Sequence, residues 1–272
     1  MTPALSTAVP VKRLRHRLST RIWHWLNVVS LMVMLMSGLM IFNAHPRLYW
    51  GDHGAQPDAP WLEIRSVEDR GELRIGGIVV DTTGVLGRWT DGEGQVRTRA
   101  FPAWATLPSG YNLSLARDWH LTFAWVFMVG LVSYLLRSVM NGHLWRDLLP
   151  QRQEMAPRHI GQDILDHLRL RFPKGEAAHR YNILQKLAYL SVLAVLLPGM
   201  VLSGLAMSPA VLAGWPWLLT LFQGHASARS VHFIFATLLV GFVLVHLAMV
   251  LLAGPITGIR SMITGRTQQK AE

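Results

Sequence analysis

Apolar residues in this chain do not alternate; they gather in four nearly unbroken runs separated by polar stretches. The runs lie at about 22–42, 119–140, 185–207 and 231–253, and each meets the requirement of roughly 20 mostly apolar residues per bilayer crossing. The pattern predicts an all-α membrane protein built as a bundle of four transmembrane helices. The first run follows basic residues, as a signal sequence would. At about 21 residues, however, it exceeds the usual ~7–15 of a signal core, and no A-x-A cleavage pattern follows. It reads as a retained helix.

The segments between the runs carry the orientation. The tail 1–21 holds Lys12, Arg13, Arg15, Arg17 and Arg21 and no acid. Segment 43–118 holds eight basic and ten acidic residues, whereas 137–186 holds nine basic and five acidic. The connection 208–230 contributes Arg229, and the tail 254–272 adds Arg260, Arg266 and Lys270. By the positive-inside rule both tails and the 141–184 connection are cytoplasmic, and 43–118 and 208–230 are periplasmic. The formal charge of +10 then labels topology in a bacterial inner membrane and does not point to nucleic acid.

Segment 43–118 is too long for a plain connector. Its Gly, Pro and Asp punctuation and short β-like runs such as Ile75 to Val80 predict a sizeable, partly β outer loop between helices 1 and 2. It is either a self-packed cover on the membrane surface or a platform for an outer partner. Residues 209–222, with Trp215-Pro216-Trp217, are too short and too broken by proline to cross, and are expected along the outer interface. Tryptophans near the span ends fit an interfacial belt.

Chemistry enters with the histidines. The chain has no cysteine, which removes disulfides, thiolate metal sites and covalent c-type haem attachment. Of twelve histidines, four lie in or at the edge of spans: His24, His120, His232 and His246. An ionisable group inside a membrane is costly and points to function by default. His232 and His246 are fourteen apart, which is ~21 Å of helix rise and returns to within ~40° of the same face. One helix therefore offers two imidazoles on one stripe at two depths. Under the topology read from charge, His24 matches His246 near the cytoplasmic side, and His120 matches His232 near the periplasmic side. Neutral imidazole pairs hold b-type haem without covalent attachment, so two non-covalent haems stacked across the membrane are expected. Two ligands per iron leave no open coordination position, which suits electron transfer.

Ser37-Gly38 and Ser203-Gly204 recur in the first and third spans, and Gly130 and Gly241 follow His120 and His232 by ten and nine residues. Such glycines admit either a bulky ring or a neighbouring helix.

Arg21-x-Trp23-His24-Trp25 with Ser37-Gly38 resembles the first helix of the di-haem cytochrome b subunits of nickel–iron hydrogenases and respiratory formate dehydrogenases, a family whose relatives serve thiosulfate reductases and molybdenum oxidoreductases. Tyr181-Asn182-x-x-Gln185-Lys186, the His232/His246 spacing and the stretch Gly254 to Gly265 resemble the formate dehydrogenase membrane subunit. The resemblance covers the four helices and not 43–118. It implies an electron wire between a periplasmic partner and quinone. It also implies that Asn182 and Gln185 line a quinone site, where an amide N–H can donate to a quinone carbonyl. His179 and Arg180 are candidate proton relays or propionate contacts, and Arg21 and Arg117 are further propionate candidates, although snorkelling anchors would look the same.

Two functions from different classes follow. One is a quinone-reactive membrane anchor subunit serving a periplasmic oxidoreductase, with a molybdenum enzyme favoured by the long outer segment. The other is a stand-alone di-haem oxidoreductase working on a small periplasmic molecule such as superoxide or ferric iron. A haem-free transporter or assembly factor is the third class, and a visible spectrum separates it from both.

Overall fold

The computed structural model describes residues 11–14, 17–54, 58–142, 149–150, 155–169, 183–252 and 254–269. Strand β1 (Val11–Leu14) precedes helix α1 (Leu18–Asn43). Strands β2 (Arg47–Leu48), β3 (Leu62–Val67), β4 (Arg70–Ile75), β5 (Ile78–Asp81), β6 (Trp89–Thr90) and β7 (Val96–Arg97) build a cap. Helix α2 (Leu113–Met140) re-enters the bundle, and α3 (Pro157–Leu168) lies in the next connection. Helix α4 (Ile183–Ser191), a π-helical turn (Val192–Leu196) and α5 (Leu197–Leu205) form one interrupted rod. Short α6 (Pro209–Leu212) and α7 (Trp217–Leu221) lead to α8 (His225–Leu252), α9 (Pro255–Thr264) and β8 (Arg266–Gln269).

Four helical stretches of 26, 28, 23 and 28 residues are long and apolar enough to cross a bilayer. They start at Leu18, Leu113, Ile183 and His225. The last begins six residues before its predicted start at 231, because Gly224 (φ +116°) turns the chain and small residues Ala226, Ser227 and Ala228 continue the helix under the cap. Sequence hydropathy misses those turns because they are neither apolar nor lipid-facing. Residues 209–222 form two short helices and no span.

The backbone packs closely within two hairpins, α1 on α2 and α5 on α8. Across the seam the hairpins meet through side chains: Phe127, Leu131, Leu197 and Leu239 form a buried cluster with Leu31 and Met34. Most other large apolar side chains of the spans face outward, as a lipid solvent requires. The π turn has a local cause. Pro198 has no N–H to donate, and the Leu197 N–H reaches back five residues to the Val192 carbonyl.

The cap is an antiparallel sheet in the order β2-β3-β4-β5, with a separate β6-β7 pair. The run Ile75 to Val80 is not one strand. It is the hairpin joining β4 to β5, with Ile75 opposite Ile78 and Gly76 at φ +55° in the two-residue turn. One face of the sheet buries Leu48, Leu62 and Ile64 with Phe42 at the end of α1, and Trp61 and Phe233 pack against them. The cap therefore shares a core with α1 and α8. Its buried carboxylate, Glu63, takes Arg47 at 2.6 Å and lies 3.7–3.8 Å from Arg74 and Arg65.

At the opposite, tail end, β1 pairs antiparallel with β8, Val11 opposite Gln269. Helix α9 starts at Gly254 (φ +102°) and Pro255 and ends at Gly265 (φ +76°), residues that break and restart a helix cleanly. Its Met262 carbonyl accepts from Arg21 Nε at 3.3 Å and Trp25 Nε1 at 3.4 Å, tying it to the start of α1.

Candidate functional site

The bundle gathers the four span histidines into two pairs. His120 on α2 and His232 on α8 face each other near the cap, ring centres 6.3 Å apart and planes inclined at 63°. His24 on α1 and His246 on α8 do the same near the tail end, at 6.4 Å and 59°. The fourteen-residue step along α8 separates the two levels.

These distances test whether a metal fits between the rings. A metal–imidazole bond is about 2 Å and the ring centre lies ~1.1 Å further, so two imidazoles on one metal stand about 6.2 Å apart. Both pairs match. Direct ring stacking, or an N–H···N bond of about 2.9 Å between the rings, would bring the centres closer. Among the described residues no group of three or more His, Asp or Glu side chains could hold an ion, so each site offers imidazole from two sides only.

The cap-side rings are held from behind. His120 Nδ1 donates to the Met34 carbonyl at 3.0 Å and lies 3.2 Å from Ser37 Oγ. His232 Nδ1 lies 2.9 Å from Ser203 Oγ and bonds the Met200 backbone. With Nδ1 occupied, Nε2 is the nitrogen left to face the partner ring. Next to each serine is the glycine of the recurring pair. A Cβ on Gly38 would stand 3.3 Å from His120 Cε1, and one on Gly204 would stand 3.4 Å from His232 Cε1. Both glycines thus admit an imidazole edge. Sequence reading named the Ser-Gly pairs but not these hydrogen bonds; the repetition itself was the available signal.

On the tail side His246 stacks on Phe242 at 6.4 Å, and His24 meets the Trp25 edge. Trp23 stacks on Tyr134 and its indole occupies the place where Gly130 would carry a Cβ. Gly130 therefore serves helix packing, whereas nothing lies within 4 Å of a Cβ on Gly241. Between the two levels the seam keeps an apolar cavity of about 120 Å³ lined by Trp23, Leu131, Leu239 and Phe242, among others.

The remaining candidates fall in several places. Arg21 is half-buried one turn from His24 and gives its Nε–H to Met262. Arg117 is exposed on α2, three residues before His120. Gln185 is half-buried in the first turn of α4, beside buried Lys186. Asn182, His179 and Arg180 lie outside the described residues.

The cap is fastened to α8 just above the cap-side pair. Gly51 N donates to Ser227 Oγ at 2.7 Å, and the Ser227 N–H returns to the Gly51 carbonyl at 3.1 Å. Arg229 bonds the His45 carbonyl and lies over the Phe42 ring. The cap's far edge is open: every residue of β5 is exposed, as is Trp104.

The chain is similar to known proteins along most of its length. The family model described as prokaryotic cytochrome b561 matches residues 15–265. A protein of Azospira oryzae named a putative protein-methionine-sulfoxide reductase subunit, YedZ1, is 30% identical over 232 residues, covering 85% of this chain and 87% of its own. No solved structure matches the chain. Four spans, two imidazole pairs and a match along nearly the whole length lead to one conclusion: this multi-pass membrane protein belongs to the prokaryotic cytochrome b561 family, a cytochrome b family and hence one that carries haem b.

Proposed function

We propose that the chain is the quinone-reactive, two-haem membrane subunit of an oxidoreductase whose other subunit works at the cap, in the periplasm. The observation that carries this reading is the pair of ring separations, 6.3 and 6.4 Å at two depths, which suit one bis-imidazole iron each. Haem supplies one-electron carriers at those depths when bound. The chain's own residues do the rest. His120 and His232 would hold the haem nearest the cap, and His24 and His246 the one nearest the tails, with an imidazole from each side. A haem held so would carry electrons and would not bind a substrate at its iron. The apolar seam keeps water away from the path between the levels.

At the tail side, Gln185 supplies an amide donor for the two-electron, two-proton interconversion of quinol and quinone; Asn182, outside the described residues, is the second candidate donor by its chemistry alone. Arg21 and Arg117 are the candidate propionate contacts, one at each level. The tails and the 141–184 connection are cytoplasmic in this reading, in a bacterial inner membrane.

The partner is an enzyme acting on protein methionine sulfoxide, in keeping with the name of the Azospira relative. Quinol releases two electrons and two protons; sulfoxide reduction to a thioether consumes two of each and yields water. A molybdenum enzyme suits this oxygen-atom chemistry. The exposed apolar edge at Ile78, Val79 and Val80 supports a cap that receives a partner, and that favours the anchor over a stand-alone enzyme.

The test is a purified chain reduced with a quinol analogue under anaerobic conditions and followed by its visible spectrum. The expected result is two b-type haems per chain, reduced by quinol and reoxidised by methionine sulfoxide only when the periplasmic enzyme is added. A preparation without haem absorbance, or one reoxidised by superoxide or ferric iron alone, would overturn it.

A further inference from the structure

We propose that Ser37 and Ser203 are positioning residues for the cap-side imidazole pair, each setting the electron donation and ring plane of one histidine. The inference rests on the reading that His120 and His232 share a haem iron.

Both serines are completely buried in the bundle. A buried serine in a span ordinarily satisfies itself by donating to a carbonyl one turn back. Ser37 does so with the Val33 carbonyl at 2.6 Å, and Ser203 with Gly199 at 2.7 Å. Once that proton is committed, the oxygen keeps its lone pairs, and each points at an imidazole Nδ1, 3.2 Å away at His120 and 2.9 Å at His232. The ring N–H is thus shared between a carbonyl and a hydroxyl oxygen. Two acceptors on Nδ1 increase the basicity of the nitrogen across the ring, and the low dielectric of the seam strengthens the effect. A more basic axial ligand favours the oxidised iron and lowers its potential.

The arrangement is duplicated. Ser37-Gly38 on α1 meets the histidine of α2, and Ser203-Gly204 on α5 meets the first histidine of α8, with the same back-bond and the same glycine at the ring edge. Two copies of one device in two hairpins are hard to assign to packing alone, since packing would not repeat the hydrogen-bond geometry. Each hydroxyl tethers one ring at Nδ1, and the two rings stand at 63° to each other. The electron paramagnetic resonance of a low-spin ferric haem held by two imidazoles reports changes in the setting of those rings.

The experiment compares the wild-type chain with Ser37→Ala, Ser203→Ala and the double variant, each purified with its haem counted. Redox titration followed optically is expected to show one haem raised in potential and the other unchanged. The double variant should favour reduction by about tenfold, or ~59 mV for one electron. The resonance of that same haem should move, and Ser37→Thr, whose hydroxyl can make the same back-bond, should restore both. Ser37→Cys, with a weaker acceptor of similar size, should fall between, and serves if the double variant assembles poorly. Full haem content with both potentials and both resonances unmoved would overturn the inference. A chain that keeps all its haem after His120→Ala, with both serines in place, would overturn the reading beneath it, and the inference with it.

Discussion

Trp61 in the cap donates its indole N–H to the Ser230 hydroxyl on α8 at 2.9 Å, and Ser230 passes its own hydrogen to the Tyr49 carbonyl. A surface domain is thereby joined to the membrane bundle two residues before His232. Ser230→Ala leaves an indole donor and a carbonyl unpaired in a buried place, at about 1–3 kcal/mol each. Trp61→Phe removes one bond and keeps most of the packing. The expected order of destabilisation is Ser230→Ala above Trp61→Phe, read from thermal melts and from the protease sensitivity of residues 44–112. Equal sensitivity of both variants to wild type would show that the cap stays in place by its apolar core alone.

Each histidine pair is a unit, so its losses should not add. His120→Ala and His232→Ala are each expected to remove one haem, and the double variant no more than that. His24→Ala and His246→Ala should remove the other. Haem counting by the pyridine haemochrome checks both statements, and a chain losing both haems on any single replacement contradicts the separation into levels.

Glu63 is 4% exposed and its cations are 28–49% exposed, so it lies in the sheet with its charge answered from the surface. Its hydrogen bond holds the Arg47 guanidinium above its ordinary range. Removing one partner of a fully buried pair costs about 3–5 kcal/mol. Because the arginines reach water, Glu63→Gln is expected to cost about 1–2 kcal/mol, less than that figure. Chemical denaturation followed by tryptophan fluorescence reads it; no change would mean the arginines rehydrate without loss.

His45 sits between α1 and the cap with its imidazole held below the ordinary value of 6.5, first by burial, then by Arg229 and Arg47. A folded state that resists protonation binds fewer protons than the unfolded chain. Stability is then full above pH 6.5 and is lost as the pH falls from 6.5 through the folded-state value. Asp91 adds to the loss at lower pH, because the Arg97 hydrogen bond and backbone N–H groups hold its carboxyl below the usual range. Cap stability between pH 7 and 5 should decline in the wild type and decline less in His45→Asn. A parallel decline in both would remove His45 from the account.

Gly130 lies under the Trp23 indole, with no room for a methyl group. Gly130→Ala must displace an aromatic ring next to His24. The expected effect is a loss or spectral shift of the tail-side haem, with the cap-side haem intact. Selective change at the cap side instead would contradict the packing described.

The four spans and the β character of the cap were legible because hydropathy and turn residues are local signals. That His24 lies with His246 and His120 with His232 was legible too, since the fourteen-residue step along one helix sets two levels without any tertiary information. The clasp of Ser227, Arg229 and Ser230 on the cap was not, because its partners are 169 to 184 residues away and hydroxyls and backbone carbonyls leave no pattern. Nor did the sequence reveal that Trp23, and not a cofactor edge, fills the space at Gly130, or that Met262 is the acceptor for Arg21. Those depend on which neighbour arrives first at a small residue, and only packing decides that.

The seam between the hairpins is fastened at both ends, by the cap clasp on α8 at one and by Arg21 and Trp25 on α9 at the other. Two rods riveted at top and bottom cannot swing apart or slide past each other. What remains to them is bowing at the waist, where the side chains are apolar and line a cavity of about 120 Å³. Any swelling of the interior is therefore confined to that middle, and the four imidazoles keep their heights while it happens.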